Sequence, residues 1–196
     1  MKIDIKLSGV GGQGILSIAT VIGEAATAAG LELKQAEVHG MSQRGGDVQS
    51  DLRLSDAPVW SDLIPLAGAD LILSMEPMEA LRYLPYLAPD GAVVTSSRPL
   101  VNIPAYPDEA ALLAELDALP RIVRADIEAL ARESGQPKSA NMVLLGMAAP
   151  YITLLDAAQL RGAIARVFAR KGEAVVEANV KAFDLGLACH PETKCK

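Results

Sequence analysis

An α/β fold, with a mostly parallel sheet flanked by helices and a helical C-terminal third, is what the sequence predicts, and three observations predict it. Apolar residues alternate at Ile3, Ile5 and Leu7, break at a glycine cluster, and resume at helical spacing from Ile15. Short apolar runs then alternate with helical stretches as far as Ala125. Beyond that point the patterns are helical.

Taken in order, the first strand leads through Gly9-Val10-Gly11-Gly12-Gln13-Gly14 into a helix carrying Ile15, Ile18, Ala19, Ile22, Ala25, Ala26 and Ala29, with Gly30 placed to end it. Residues 31–38 read as a second strand, which makes a βαβ unit with a right-handed crossover. A polar loop follows over residues 39–46. Next, Val48, Ser50, Leu52 and Leu54 alternate with polar neighbours, the pattern of a half-buried strand that suits antiparallel pairing. Residues 70–75 are a short apolar strand, 76–87 a helical stretch, and 91–96 another strand. Pro99, Pro104 and Pro107 mark a surface loop before a helix over 109–116 and a last short strand over 121–125. Ser139 is placed to cap a helix reaching Pro150, and Asp156 with Gln159 forms a capping-box pattern before a helix reaching Ala169. Val176, Val180, Phe183 and Leu187 make one stripe on a final helix. No repeat or linker interrupts the chain, so residues 1–196 are expected to form one domain.

Composition narrows the function. A formal net charge of −6 argues against a nucleic-acid partner or an anionic membrane surface. No stretch approaches the ~18 consecutive apolar residues of a membrane span, and the N-terminus does not read as a signal peptide. Two cysteines, Cys189 and Cys195, imply a reducing, cytoplasmic setting. With His190 they supply three potential metal ligands, but a trio in a chain terminus more often binds nothing.

Gly9-x-Gly11-x-x-Gly14 between a strand and a helix is the context in which a loop cradles a phosphate. The first glycine permits a tight turn, the second a close backbone approach, and the third close helix–strand packing, giving a Rossmann-like start. The helix N-terminus adds N–H groups and a positive dipole end. Glycines at such a turn also serve packing alone. The acid that would hold a ribose hydroxyl lies about 20 positions on; Glu37 is the one candidate, and it can instead orient the next loop, which weakens a nicotinamide or flavin dinucleotide reading.

Two further segments carry a resemblance. The glycine loop, followed by Glu37-x-x-Gly40-x-x-Gln43-Arg44-Gly45-Gly46, resembles the gamma-type domain of 2-oxoacid:ferredoxin oxidoreductases. The form His39-Gly40-Met41-Ser42-Gln43-Arg44-Gly45-Gly46 is most similar to the small subunit of members that act on indolepyruvate, and Ser139-Ala140-Asn141-Met142-Val143-Leu144-Leu145-Gly146 is a third match. The resemblance implies oxidative decarboxylation of an arylpyruvate with coenzyme A to an aryl-acetyl-CoA, carbon dioxide and reduced ferredoxin. It also implies thiamine diphosphate and iron–sulfur clusters. This chain lacks the Gly-Asp-Gly of the thiamine motif, since Pro89 precedes Asp90-Gly91, and it lacks four clustered cysteines. Both groups are therefore expected on a larger alpha subunit, through which the complex meets ferredoxin.

The residues expected to hold coenzyme A are Gly9, Gly11, Gly12, Gln13, Gly14, Arg44 and Asn141. Arg44 can meet a coenzyme A phosphate, a substrate carboxylate or a partner carboxylate, or be a plain surface arginine. Asn141 can bond a ligand or a helix turn. His39 is read as structural or interfacial, and Met41, Met75, Met78, Met142 and Met147 as filling core gaps or an interface. Trp60 is either an interface anchor or a core residue. Three functions compete: a subunit that binds coenzyme A, a dinucleotide- or flavin-dependent oxidoreductase, and a purely structural subunit.

Overall fold

The computed structural model describes residues 1–39 and 45–189, with the backbone alone at His39. Strand β1 (Lys2–Val10) is buried along both faces: Ile3, Ile5 and Leu7 on one, Asp4, Lys6 and Ser8 on the other. Such a strand belongs in the middle of a sheet. Helix α1 (Ile15–Ala28) lays Ile18, Ala19, Ile22, Ala25 and Ala26 in the core, the face its periodicity predicts.

Strand β2 (Glu32–His39) runs in the same direction as β1 but does not pair with it. Strand β3 (Asp47–Ser55) lies between them, antiparallel to both. The βαβ expectation is thus corrected: the crossover skips one position, and β3 fills the gap. The connection from β2 to β3 is only seven residues, too short for anything but an antiparallel return. Strands β4 (Ala69–Ser74), β5 (Leu87–Ser96) and β6 (Ile122–Ala125) extend the sheet in parallel on the other side, giving the order β2-β3-β1-β4-β5-β6. All but β3 run one way, as a mostly parallel sheet requires.

Register between β1 and β3 is set by chemistry on two faces. Ile3 opposes Leu54 and Ile5 opposes Leu52 beneath α1, while Asp4 opposes Arg53 and Lys6 opposes Asp51 on the far face. Arg53 grips Asp4 with two prongs, at 2.9 and 3.1 Å, and Lys6 Nζ lies 2.6 Å from Asp51. A slip of β3 by one residue would drive Arg53 and Asp51 into the apolar core and strand Asp4 and Lys6. Lys6 also sits over the rings of Tyr83 and Tyr86, at 5.0 and 4.3 Å.

Helices α4 (Ile127–Glu133), α5 (Ala140–Ala148), α6 (Ala157–Phe168) and α7 (Glu173–Leu187) join α1 in the main core. The capping box at Asp156 and Gln159 is formed, with bonds of 2.7 and 2.8 Å. On the opposite face, α2 (Pro77–Arg82) and α3 (Glu109–Asp117) help close a smaller core around Ile72, Val93, Tyr83 and Leu116. Two expectations change, and one pair of alternatives loses a member. The helical stretch 76–87 stops at Arg82, becomes a 3-10 turn at Leu84–Tyr86 and enters β5 at Leu87, because Pro85 has no N–H with which to continue. Ser139 makes no cap; its hydroxyl donates to Asn179 Oδ1 at 3.0 Å, fixing α5 to α7. Trp60 is 92% exposed and so is no core residue. Met75, Met142 and Met147 are buried, as expected. Among the described residues no helix is long and apolar enough to cross a membrane.

Helices α5 and α7 touch backbone to backbone. A Cβ on Gly146 would stand 2.0 Å from the carbonyl oxygen of Phe183, and one on Gly186 would stand 1.9 Å from that of Val143. Neither neighbour is a movable side-chain end, so the helices must separate to admit a methyl group. Gly146→Ala is expected to destabilise the chain by about 3 kcal/mol. Gly162→Ala in α6, whose Cβ meets only the end of Arg166, is expected to be neutral or to stabilise by up to about 1 kcal/mol. Urea unfolding of the two variants checks the contrast.

Candidate functional site

The site lies at the C-terminal edge of the sheet, where β1 stops and α1 begins. The Gln13 N–H donates to the Val10 carbonyl at 3.1 Å and closes the turn, while Gln13 Oε1 accepts from the Val10 N–H at 2.7 Å. The other end of that amide, Nε2, reaches the Met75 carbonyl beyond β4 at 3.4 Å. Gly14 is left-handed, with φ 88°, at the N-cap of α1, a conformation that side chains other than glycine adopt at a cost. A Cβ there would also lie 2.7 Å from Asn141 Nδ2, which donates to the Gly14 carbonyl at 3.1 Å. A Cβ on Gly9 would crowd Gln13, Ile15 and Met75 at 3.0–3.1 Å. Gln13 and Asn141 therefore spend amide groups on shaping the loop.

The expectation that Gly11 to Gly14 offers its backbone to an anion needs a correction of one step. Gly11 donates its N–H to the Gly46 carbonyl at 2.8 Å, and Gln13 is engaged in the turn. The N–H groups left without an acceptor among the described residues are those of Gly12, Gly14, Ile15 and Leu16. They stand at the start of a 14-residue helix, where its dipole end is positive. Beside them is a cavity of about 360 Å³ lined by Val10, Gly11, Gly12, Gly14, Ile15, Leu16 and Val48. Among the described residues the lining is glycine and aliphatic. The cavity can hold an anion by its backbone and a chain by its apolar wall, and the described lining supplies no titratable side chain.

The second glycine segment is described only from Gly45 onward. Gly45 donates to the Gly11 carbonyl at 3.4 Å, so the two glycine segments lie against each other as the last rungs of the β1–β3 ladder. Met41, Gln43 and Arg44 lie outside the described residues, as do His190 and Cys195. Glu37 is exposed on the edge strand, level with Ser50 and, across β3, with Leu7. It is thus two strand spacings, about 10 Å, from β1, and it does not share the glycine turn as a ribose-binding acid would.

Sequence reasoning missed a group of buried polar residues beside this edge. Glu76 is fully buried and caps α2, accepting the Glu79 N–H at 2.9 Å, the Leu100 N–H at 3.2 Å and the Tyr106 hydroxyl. Burial pushes the Glu79 carboxyl up, with the Arg82 guanidinium opposing and the Asp47 charge adding to the rise. Tyr83 donates to Asp47 at 2.7 Å, and burial together with that bond raises its phenol well above the ordinary range. Asn102 Nδ2 donates to the Gly45 carbonyl at 2.9 Å. Glu76 directly before Pro77 was the one available signal, since a capping carboxylate followed by proline at the first helical position marks a helix start.

The family model for pyruvate ferredoxin/flavodoxin oxidoreductase matches residues 4–189. Indolepyruvate oxidoreductase subunit IorB of Pyrococcus horikoshii is 38% identical over 198 aligned residues, covering 96% of each chain. The gamma subunit of a keto/oxoacid ferredoxin oxidoreductase from Geobacter sulfurreducens superposes with a TM-score of 0.69 at 25% identity, over 95% of this chain and 96% of that one. The 2-oxoglutarate:ferredoxin oxidoreductase of Magnetococcus marinus, solved with 2-oxoglutarate, coenzyme A and succinyl-CoA bound, shares the fold across all of this chain and 32% of its own, with a TM-score of 0.76 at 22% identity. A chain matched along nearly its whole length by one family model, and at this identity by a full-length relative, belongs to the pyruvate ferredoxin/flavodoxin oxidoreductase family.

Proposed function

We propose that this chain, as a single gamma-type domain over residues 1–196, is the small subunit of a cytoplasmic indolepyruvate:ferredoxin oxidoreductase and holds coenzyme A for it. The reaction joins an arylpyruvate and coenzyme A, releases carbon dioxide and passes two electrons to ferredoxin. Support for the substrate comes from the full-length likeness to a relative named for indolepyruvate. The observation that carries the coenzyme A reading is the row of N–H groups at Gly12, Gly14, Ile15 and Leu16, without acceptors among the described residues, beside a cavity whose described lining is uncharged. A pyrophosphate there gains the helix dipole and several backbone donors at once. Gly9, Gln13 and Asn141 hold the turn in shape, while Gly11 keeps the approach open. Arg44 supplies a two-pronged contact to a phosphate or carboxylate.

Neither redox group fits this chain's own residues. An iron–sulfur cluster takes four thiolates and the chain has two cysteines; among the described residues no three metal-ligating side chains cluster. Thiamine diphosphate, which supplies the carbanion chemistry when bound, and the clusters belong in this reading to a larger alpha subunit. The structural-subunit reading keeps one observation in its favour, the packing contacts that already account for Gly9 and Gly14.

The isolated chain is expected to be colourless and to transfer no electrons from any 2-oxoacid; arylpyruvate-dependent reduction of ferredoxin by the purified chain alone would overturn the division of labour. In the assembled complex, Gly11→Val is expected to raise the KM for coenzyme A at least several-fold by blocking the backbone approach, with little change in formation of the thiamine-bound intermediate. An unmoved KM in an assembled complex points to the structural subunit. Arg44→Ala is expected to weaken the binding step it serves by roughly 2–5 kcal/mol, and Arg44→Lys to recover part of that. Thermal unfolding of the lone chain is expected to stay unchanged, and normal assembly and turnover of the alanine variant would remove Arg44 from the site.

A further inference from the structure

Residues 97–108, between β5 and α3, fold back toward the C-terminal edge of the sheet and are secured at separate points. The Ser97 N–H donates to the Ala125 carbonyl at 2.8 Å, and the Arg98 N–H to Ser96 Oγ at 3.1 Å. Further on, the Leu100 N–H and the Tyr106 hydroxyl both donate to Oε1 of the buried Glu76, whose Oε2 is held by the Glu79 N–H. Asn102 sits between those two anchors. Its Nδ2 donates to the Gly45 carbonyl at 2.9 Å, and its Oδ1 is buried without a partner among the described residues. An amide whose oxygen is buried without a described partner is costly unless its committed arm matters.

What that arm holds is the segment least able to hold itself. Gly45 and Gly46 have no side chains with which to pack. They meet the first glycine loop through two backbone bonds, Gly11 N–H to Gly46 at 2.8 Å and the long Gly45 N–H to Gly11 at 3.4 Å. Gly11 is the residue immediately before the cradle. We propose that Asn102 is a positioning residue: anchored through its loop on Glu76, it fixes Gly45 and Gly46 against Gly11 and so sets the entry to the N–H cradle. Its effect on turnover rests on the coenzyme A reading; its effect on the backbone does not.

The test uses two variants and two measurements. In the full chain, amide hydrogen exchange at Gly11 and Gly45 is followed for Asn102→Ala and for the isosteric Asn102→Asp, which keeps the shape but cannot donate to the Gly45 carbonyl. Both are expected to speed exchange about fivefold, the worth of one hydrogen bond. In the assembled complex, Asn102→Ala is expected to raise the KM for coenzyme A by a similar factor while kcat stays within about twofold. Exchange unchanged in both variants overturns the proposal, and so does an aspartate variant that behaves as the native chain, because then the amide only fills space. Faster exchange with an unmoved KM supports the positioning role and counts against coenzyme A at the cradle, so the two readings fail separately.

Discussion

Asp4 opposite Arg53 and Lys6 opposite Asp51 hold β3 against β1 in a single register, and much of the site's geometry descends from that pairing. Buried ion pairs contribute little net stability against an apolar substitute, but they discriminate strongly between registers. Here the alternative register turns Arg53 and Asp51 into the core under α1 and leaves Asp4 and Lys6 without those partners on the far face. With the register held, Asp47 arrives opposite Val10, and Gly46 and Gly45 continue the ladder onto Gly11. The second glycine segment reaches the first because a charged ladder several residues away allows no other alignment.

The same insertion of β3 changes what the glycine motif can do. In a dinucleotide fold the second strand neighbours the first, and its terminal acid reaches the ribose. Displaced by one strand, Glu37 cannot take that part. The first loop is left with its row of N–H groups at the start of α1 and lacks the ribose-binding acid of a dinucleotide fold. Gln13 and Asn141 complete the picture as internal struts. One ties the turn to the end of β4, the other ties it to the start of α5.

Asn141 reaches Gly14 only because α5 lies at one depth in the core. Gly146 and Gly186 let α5 and α7 meet at backbone contact, and the Ser139 hydroxyl bonds Asn179 on α7. The segment from Ser139 to Gly146 thus contributes three separate contacts, at its start, third residue and end, to one purpose: seating the helix whose asparagine braces the loop. Residue types that look like a ligand-binding signature in one dimension are, in three, supports that seat α5 and shape the glycine loop.

Element types were legible in the sequence wherever local physics decides them. Alternation marked β1 and β3, the 3.6-residue spacing marked α1 and α7, and the reciprocal pair Asp156 and Gln159 marked the start of α6. The glycine turn between strand and helix was equally plain, since left-handed backbone at Gly14 calls for glycine whatever surrounds it. Strand order was not legible, because nothing within residues 31–55 states that the return strand enters between β1 and β2 rather than at an edge; the pairing of Asp4 with Arg53 and of Lys6 with Asp51 holds it there. Nor could the spacing of Gly9, Gly11 and Gly14 reveal which N–H groups stay open, for the acceptor that takes the Gly11 N–H comes from Gly46. Asn102, and what Glu76 holds beyond its own helix cap, were invisible for the same reason. Their partners lie 57 and up to 30 residues away, and a hydrogen bond between distant segments leaves no period or motif in the chain; only folding brings donor and acceptor to one place.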